Sequence, residues 1–121
     1  MTEIKNSKIY DLEDRTLAFA KAVNSYVNSL PKTQSNIENG KQLVRSAGSV
    51  GANYIEANES LGKKDFLMRL KISRKEAKES RFWLELTNPN EDRLQNKQEL
   101  IQESTELIKI FSAILVKSNG I

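Results

Sequence analysis

The stretch R45-S-A-G-S-V-G-A-N-Y-I-E-A-N-E-S60 decides the fold. Its apolar positions keep a helical period, yet it contains two glycines, two asparagines and three serines. Each glycine inside a helix costs about 1 kcal/mol relative to alanine. Placed at about 100° per residue, Leu43, Val44, Ala47, Val50, Gly51, Tyr54, Ile55, Ala57 and Leu61 fill nearly half the circumference. A helix buried that widely touches more than one neighbour. Gly51 and Ala47 fall inside the arc, where a missing or minimal side chain lets another backbone come close. Arg45, Ser49, Ala52, Asn53 and Glu56 line the opposite side. They read either as a solvated polar edge or as a structural polar network with a neighbouring helix or subunit.

Outward from this stretch, three further helices are expected. The first runs from about 11 to 30, with Asp11 as N-cap, Glu13 and Asp14 at the positive end of the dipole, and Pro31 as terminator. Its stripe is Leu12, Phe19, Val23, Tyr26, Val27 and Leu30. Ser35-Asn36-Ile37-Glu38 fits a capping box for the second helix, about 36–61, with Gly62 as its stop. The third spans about 63–87, with Phe66, Leu70, Ala77 and Leu84 on its core face, and Asn88-Pro89 closes it. The fourth spans about 91–117, where Leu94, Ile101, Ile108 and Leu115 recur every seven residues and Leu100, Leu107, Phe111 and Ile114 widen the face. Short loops make consecutive helices antiparallel neighbours, so residues 1–121 form one all-α domain, an up-down-up-down four-helix bundle.

Composition narrows the chemistry. The chain has no histidine and no cysteine, which removes the usual general base and thiolate metal ligands. Glu56-x-x-Glu59 and Glu76-x-x-Glu79 resemble the carboxylate half of a di-metal bundle site, but such sites also use Glu-x-x-His. No metal, no cofactor and no catalytic residue is expected, and the protein is read as non-enzymatic. The serines lack a histidine partner. GSVG lies within a helix rather than after a strand, so it is not a phosphate loop. The longest apolar run near the end, IFSAILV at 110–116, is too short to span a bilayer, and MTEIKNSKIY lacks an apolar secretory segment. A cytoplasmic protein with no membrane partner is the expectation.

The third helix carries the functional signal. It holds eight basic and four acidic residues in a chain whose net charge is +3. Lys63, Lys64, Lys71, Arg74, Lys75, Lys78 and Arg81 fall within about one third of its circumference. A row of cations on a rigid helix suits a phosphate backbone. It is equally the pattern of a solvated face, with Glu38, Glu91 and Glu103 as candidate pairing partners. Ile72 and Trp83, eleven residues apart, share another face directed away from the core on the helical wheel, and are candidates for an oligomer interface. RNA or DNA is the leading partner class. The alternative is a protein–protein assembly subunit that binds no nucleic acid.

The run RSAGSVGANYIEANE, followed by KKDF and by a helix containing AKES, resembles the bacterial four-helix-bundle proteins encoded in intervening sequences of 23S rRNA genes. Arg45, Ser46, Ala47, Ser49, Val50, Ala52, Asn53 and Glu56 carry the resemblance, which extends from about Tyr10 to Leu86; the last helix matches in pattern only. Gly62 stands where many members have serine. The resemblance implies an antiparallel bundle, often assembled into a homopentameric ring, and for most members no established activity. A related branch, the accessory protein of diversity-generating retroelements, is a basic pentamer that works with a reverse transcriptase and binds nucleic acid. The resulting expectation is an oligomer that contacts structured RNA or an RNA–protein complex.

Overall fold

The computed structural model describes residues 11–120, and the expectation for the segment 1–10 lies outside them. Among the described residues the protein is all-α, with no strand. Four helices, α1 (Leu12–Asn28), α2 (Gln34–Asn58), α3 (Lys63–Leu86) and α4 (Leu94–Lys117), follow one another, with a 3-10 turn at Glu91–Arg93 leading into α4. They form a four-helix bundle in chain order: α1 packs on α2, α2 on α3, α3 on α4, and α4 returns to α1. The α2–α3 seam is the most extensive.

Local chemistry sets the boundaries. The Asp11 side chain accepts the Asp14 amide at 3.2 Å, as expected of an N-cap. For α2 the expected capping box is displaced. Thr33, in extended conformation, is the N-cap and accepts the Asn36 amide at 3.2 Å. Ser35 and Asn36 are already helical, and Glu38 lies 3.7 Å from Lys41 instead of reaching back. Asn36 has another task. Its amide donates to the carbonyls of Pro31 and Asn88, each at 2.9 Å, and its oxygen accepts the Asn88 amide at 2.9 Å. One buried side chain thus ties together the loops at that end of the bundle. At the other end, α2 stops at Asn58 rather than near Leu61. Leu61 is wholly exposed, and Gly62 is the extended N-cap of α3, not a left-handed stop.

The core joins Phe19, Val23 and Tyr26 of α1, Leu43, Ala47 and Val50 of α2, Leu70, Ala77 and Leu84 of α3, and Leu100, Leu107, Phe111 and Leu115 of α4. Tyr54 and Phe111 meet across it, ring centres 6.0 Å apart. The arc read for α2 is too broad: Val44 and Ile55 are exposed along with Leu61. Leu94, at the start of α4, is exposed too. Gly51 performs the close-packing role expected of it, because a Cβ there would stand 2.8 Å from the Thr16 hydroxyl of α1. Gly48 faces open space, and nothing in the structure explains it. Arg15 clamps α1 to α4 through two bonds to Glu103, at 2.8 and 2.9 Å. That pairing raises the Arg15 pKa and takes Glu103 away from the basic row of α3.

Candidate nucleic-acid interface

The side of α3 that meets α2 is built from short hydroxyls and ion pairs. Ser73 donates to the Val50 carbonyl at 2.9 Å, and Ser80 donates to Ser46 at 3.0 Å; all three serines are fully buried. Small side chains allow the two backbones to approach, and each hydroxyl satisfies itself on a neighbouring oxygen. Sequence reasoning placed Ser46 in the motif but missed Ser73 and Ser80. Their spacing of seven residues along the core-side edge of α3 was the available signal.

Flanking this seam, Arg45 reaches Glu76 at 3.2 Å and Glu79 at 3.0 Å. The Glu76 carboxylate is nearly buried, so the guanidinium supplies the charge that its position requires. Both carboxylates of Glu76-x-x-Glu79 are therefore engaged by a cation. Asn53 donates to the Ser49 carbonyl at 2.9 Å and accepts Arg69 of α3 at 3.0 Å. Three of the four residues read as a polar network are thus joined to this seam, Ser49 through its backbone. Glu56 is exposed and contributes its backbone carbonyl, which accepts from the Ser60 hydroxyl and the Glu59 amide.

The opposite flank of α3 is different. Lys63, Lys64, Lys71, Lys75 and Lys78 are exposed and form no ion pair with any described residue. Arg74 and Arg81 lean toward α4, donating to the Ser112 and Thr105 hydroxyls at 3.3 and 3.2 Å. Both remain partly exposed. None of the anticipated acidic partners reaches the row: Glu103 holds Arg15, Glu38 lies beside Lys41, and Glu91 bonds to no cation of α3. The row is a line of free ammonium groups bordered by two guanidiniums held in place through neutral hydroxyls. Cations arranged in this way suit contact with phosphates rather than with base edges.

Trp83 is placed differently from the helical-wheel expectation. It is half-buried and packs against the core cluster, with its indole N–H enclosed and without an acceptor among the described residues. Phe82 beside it is 57% exposed and meets the Trp83 ring edge to face at 5.0 Å. Ile72 is half-buried. The outward apolar presentation on this flank therefore comes from Phe82 more than from Trp83. A shallow depression of about 410 Å3 near Val27, Pro31, Ile37 and Val44 contains no cluster of reactive side chains. No helix among the described residues is long and apolar enough to cross a membrane.

Comparison with known proteins gives a consistent family. The chain is similar to a solved structure, a protein of unknown function from the S23 ribosomal protein family of Bacteroides thetaiotaomicron. The two share 31% identity and a TM-score of 0.73, over 85% of this chain and 96% of that one. No curated protein matches. The model of the 23S rRNA-intervening sequence protein family matches residues 8–113, a span that includes all four helices up to the last turn of α4. With the helical fold and both similarities in agreement, the chain belongs to the 23S rRNA-intervening sequence protein family.

Proposed function

We propose that this protein is a non-enzymatic, oligomeric binding protein of the cytoplasm that contacts nucleic acid through the basic row of α3. Structured RNA, alone or within an RNA–protein complex, is the favoured partner. The observation that carries this reading is the unpaired state of Lys63, Lys64, Lys71, Lys75 and Lys78 on one flank of a helix whose other flank has its charges paired. An up-down-up-down antiparallel bundle is the accompanying architecture. The opposite chain order of contacts supports it for α2 and α3, where Asn53 meets Arg69, Val50 meets Ser73 and Ser46 meets Ser80. The family resemblance favours a five-membered ring, which would multiply the field of one chain.

Binding to a structured RNA and to a duplex DNA at several salt concentrations tests the reading. The expected result is affinity that falls steeply with salt and is lost when Lys71, Arg74 and Lys78 are all changed to Glu. Absence of binding at low salt would retire it. A second reading, a protein-binding assembly subunit, draws on the exposed Met68, Phe82 and Leu86 of the same helix. It predicts association that resists salt.

A further inference from the structure

The outward edge of α3 carries a second pattern beside the basic row. Met68, Ile72, Lys75, Glu79, Phe82 and Leu86 are spaced four, three, four, three and four residues apart, the spacing of a coiled-coil seam. On a helix they occupy an arc of about 80°. Met68 is 47%, Phe82 57% and Leu86 42% exposed, Ile72 is half-buried, and Lys75 is exposed. Apolar side chains left in a line on a helix surface mark a contact with another molecule.

The strip is complementary to itself when reversed. Measured from Ala77, Met68 and Leu86 lie nine residues to either side, Ile72 and Phe82 five, and Lys75 and Glu79 two. We infer that two copies of this chain pair through antiparallel α3 helices across a two-fold axis level with Ala77. Met68 then faces the other copy's Leu86, Ile72 its Phe82, and Lys75 its Glu79, each contact occurring twice as an isologous interface requires. Parallel pairing would set Lys75 against Lys75 and Glu79 against Glu79, so charge selects the antiparallel register. Glu79 bonds Arg45 through one oxygen, leaving the other for the incoming lysine. The inference rests on the reading that the protein is oligomeric and adds its partner face, symmetry and register. The pairing joins copies one to one, so a ring built on other faces would be doubled by it rather than replaced.

The chain has no cysteine, so introduced thiols are the only ones present. Met68→Cys and Leu86→Cys lie about 27 Å apart on one helix, too far to bridge within a chain. Under mild oxidation the double variant should give a covalent species of two chains, and neither single variant should. In the uncross-linked protein, Phe82→Glu and Lys75→Glu should each halve the native mass while leaving the helical circular dichroism unchanged. Absence of a two-chain product, equal cross-linking by a single variant, a ladder beyond two chains, or an unchanged mass in both glutamate variants would each overturn the pairing. These measurements contain no nucleic acid; Lys75 is the one cation of the basic row that the pairing takes up, and the residues of the salt-dependence test, Lys71, Arg74 and Lys78, lie outside the strip. The two readings therefore fail separately.

Discussion

The two flanks of α3 are made from the same helix and obey opposite rules. Toward α2 the side chains are short, the hydroxyls of Ser73 and Ser80 are buried and bonded, and the carboxylates of Glu76 and Glu79 share Arg45. On the other flank Lys63, Lys64, Lys71, Lys75 and Lys78 are long, exposed and in no ion pair with a described residue. One flank joins α3 to α2; the other bonds to α4 only through Arg74 and Arg81 and leaves its five lysines without an ion pair among the described residues. A residue's part in this protein is therefore set by which side of α3 it occupies, more than by its polarity.

Substitutions can break that contrast in order of size. Ser80→Leu forces a large side chain into the closest part of the seam and should cost about 3 kcal/mol in urea unfolding. A loss below about 0.5 kcal/mol would mean that α2 and α3 are not packed as described. Gly51→Ala brings a methyl group against Thr16. The intrinsic gain in helix propensity offsets part of the clash, leaving an expected net loss of about 1 kcal/mol.

Tyr26→Phe probes the same interior through pH. The Tyr26 hydroxyl bonds Thr87 at 2.8 Å, and Thr87 itself donates to the Leu84 carbonyl, so the tyrosine is the donor. Removing it should cost about 1 kcal/mol at neutral pH. Burial raises the Tyr26 pKa above its ordinary 10.0. The folded state then holds the phenolic proton more tightly than the unfolded chain does. Stability is full below pH 10 and declines as pH rises from there through the folded value. Thermal melts between neutral and strongly alkaline pH should show the gap between the two proteins closing at the alkaline end. At the small end of the scale, Lys78→Ala on the outer flank should change stability by less than about 0.5 kcal/mol. Thermal denaturation checks this, and a larger loss would show that the flank does support the fold.

The sequence discloses helix number and core face more readily than it discloses the seam. Phe19, Val23, Leu70, Leu84, Leu107 and Phe111 lie in apolar stripes and are buried. Thr16, Ser46, Ser73, Ser80 and Thr87 are equally buried, yet read as surface residues. Their hydroxyls bond carbonyls a turn earlier or oxygens across the interface, so nothing in their polarity reveals their burial. Val44 and Ile55 show the reverse, apolar residues at the edge of an arc that the neighbouring helices do not reach. The displaced cap of α2 has a similar cause: Thr33, Ser35 and Asn36 are all competent N-caps, and the demand for Asn36 at the Asn88 loop decides among them. The exposure of the five lysines of the basic row was legible, because a like-charged stripe needs no partner within the chain, whereas the bonds of Arg74 and Arg81 to α4 were not. Trp83 was misplaced because the wheel treats each helix alone, whereas its ring covers the edge of the shared core.

The length of the basic row of α3 has a consequence for the proposed partner. The basic row runs from Lys63 to Arg81, about 27 Å along the helix, shorter than the roughly 34–36 Å of one turn of duplex DNA. A line of cations of that length meets the backbone within a single turn of duplex. Under the nucleic-acid reading, affinity should climb as a duplex is lengthened to about one turn and then level off for a single site. The row acts as a ruler, and the shortest duplex bound at full strength reads out its length.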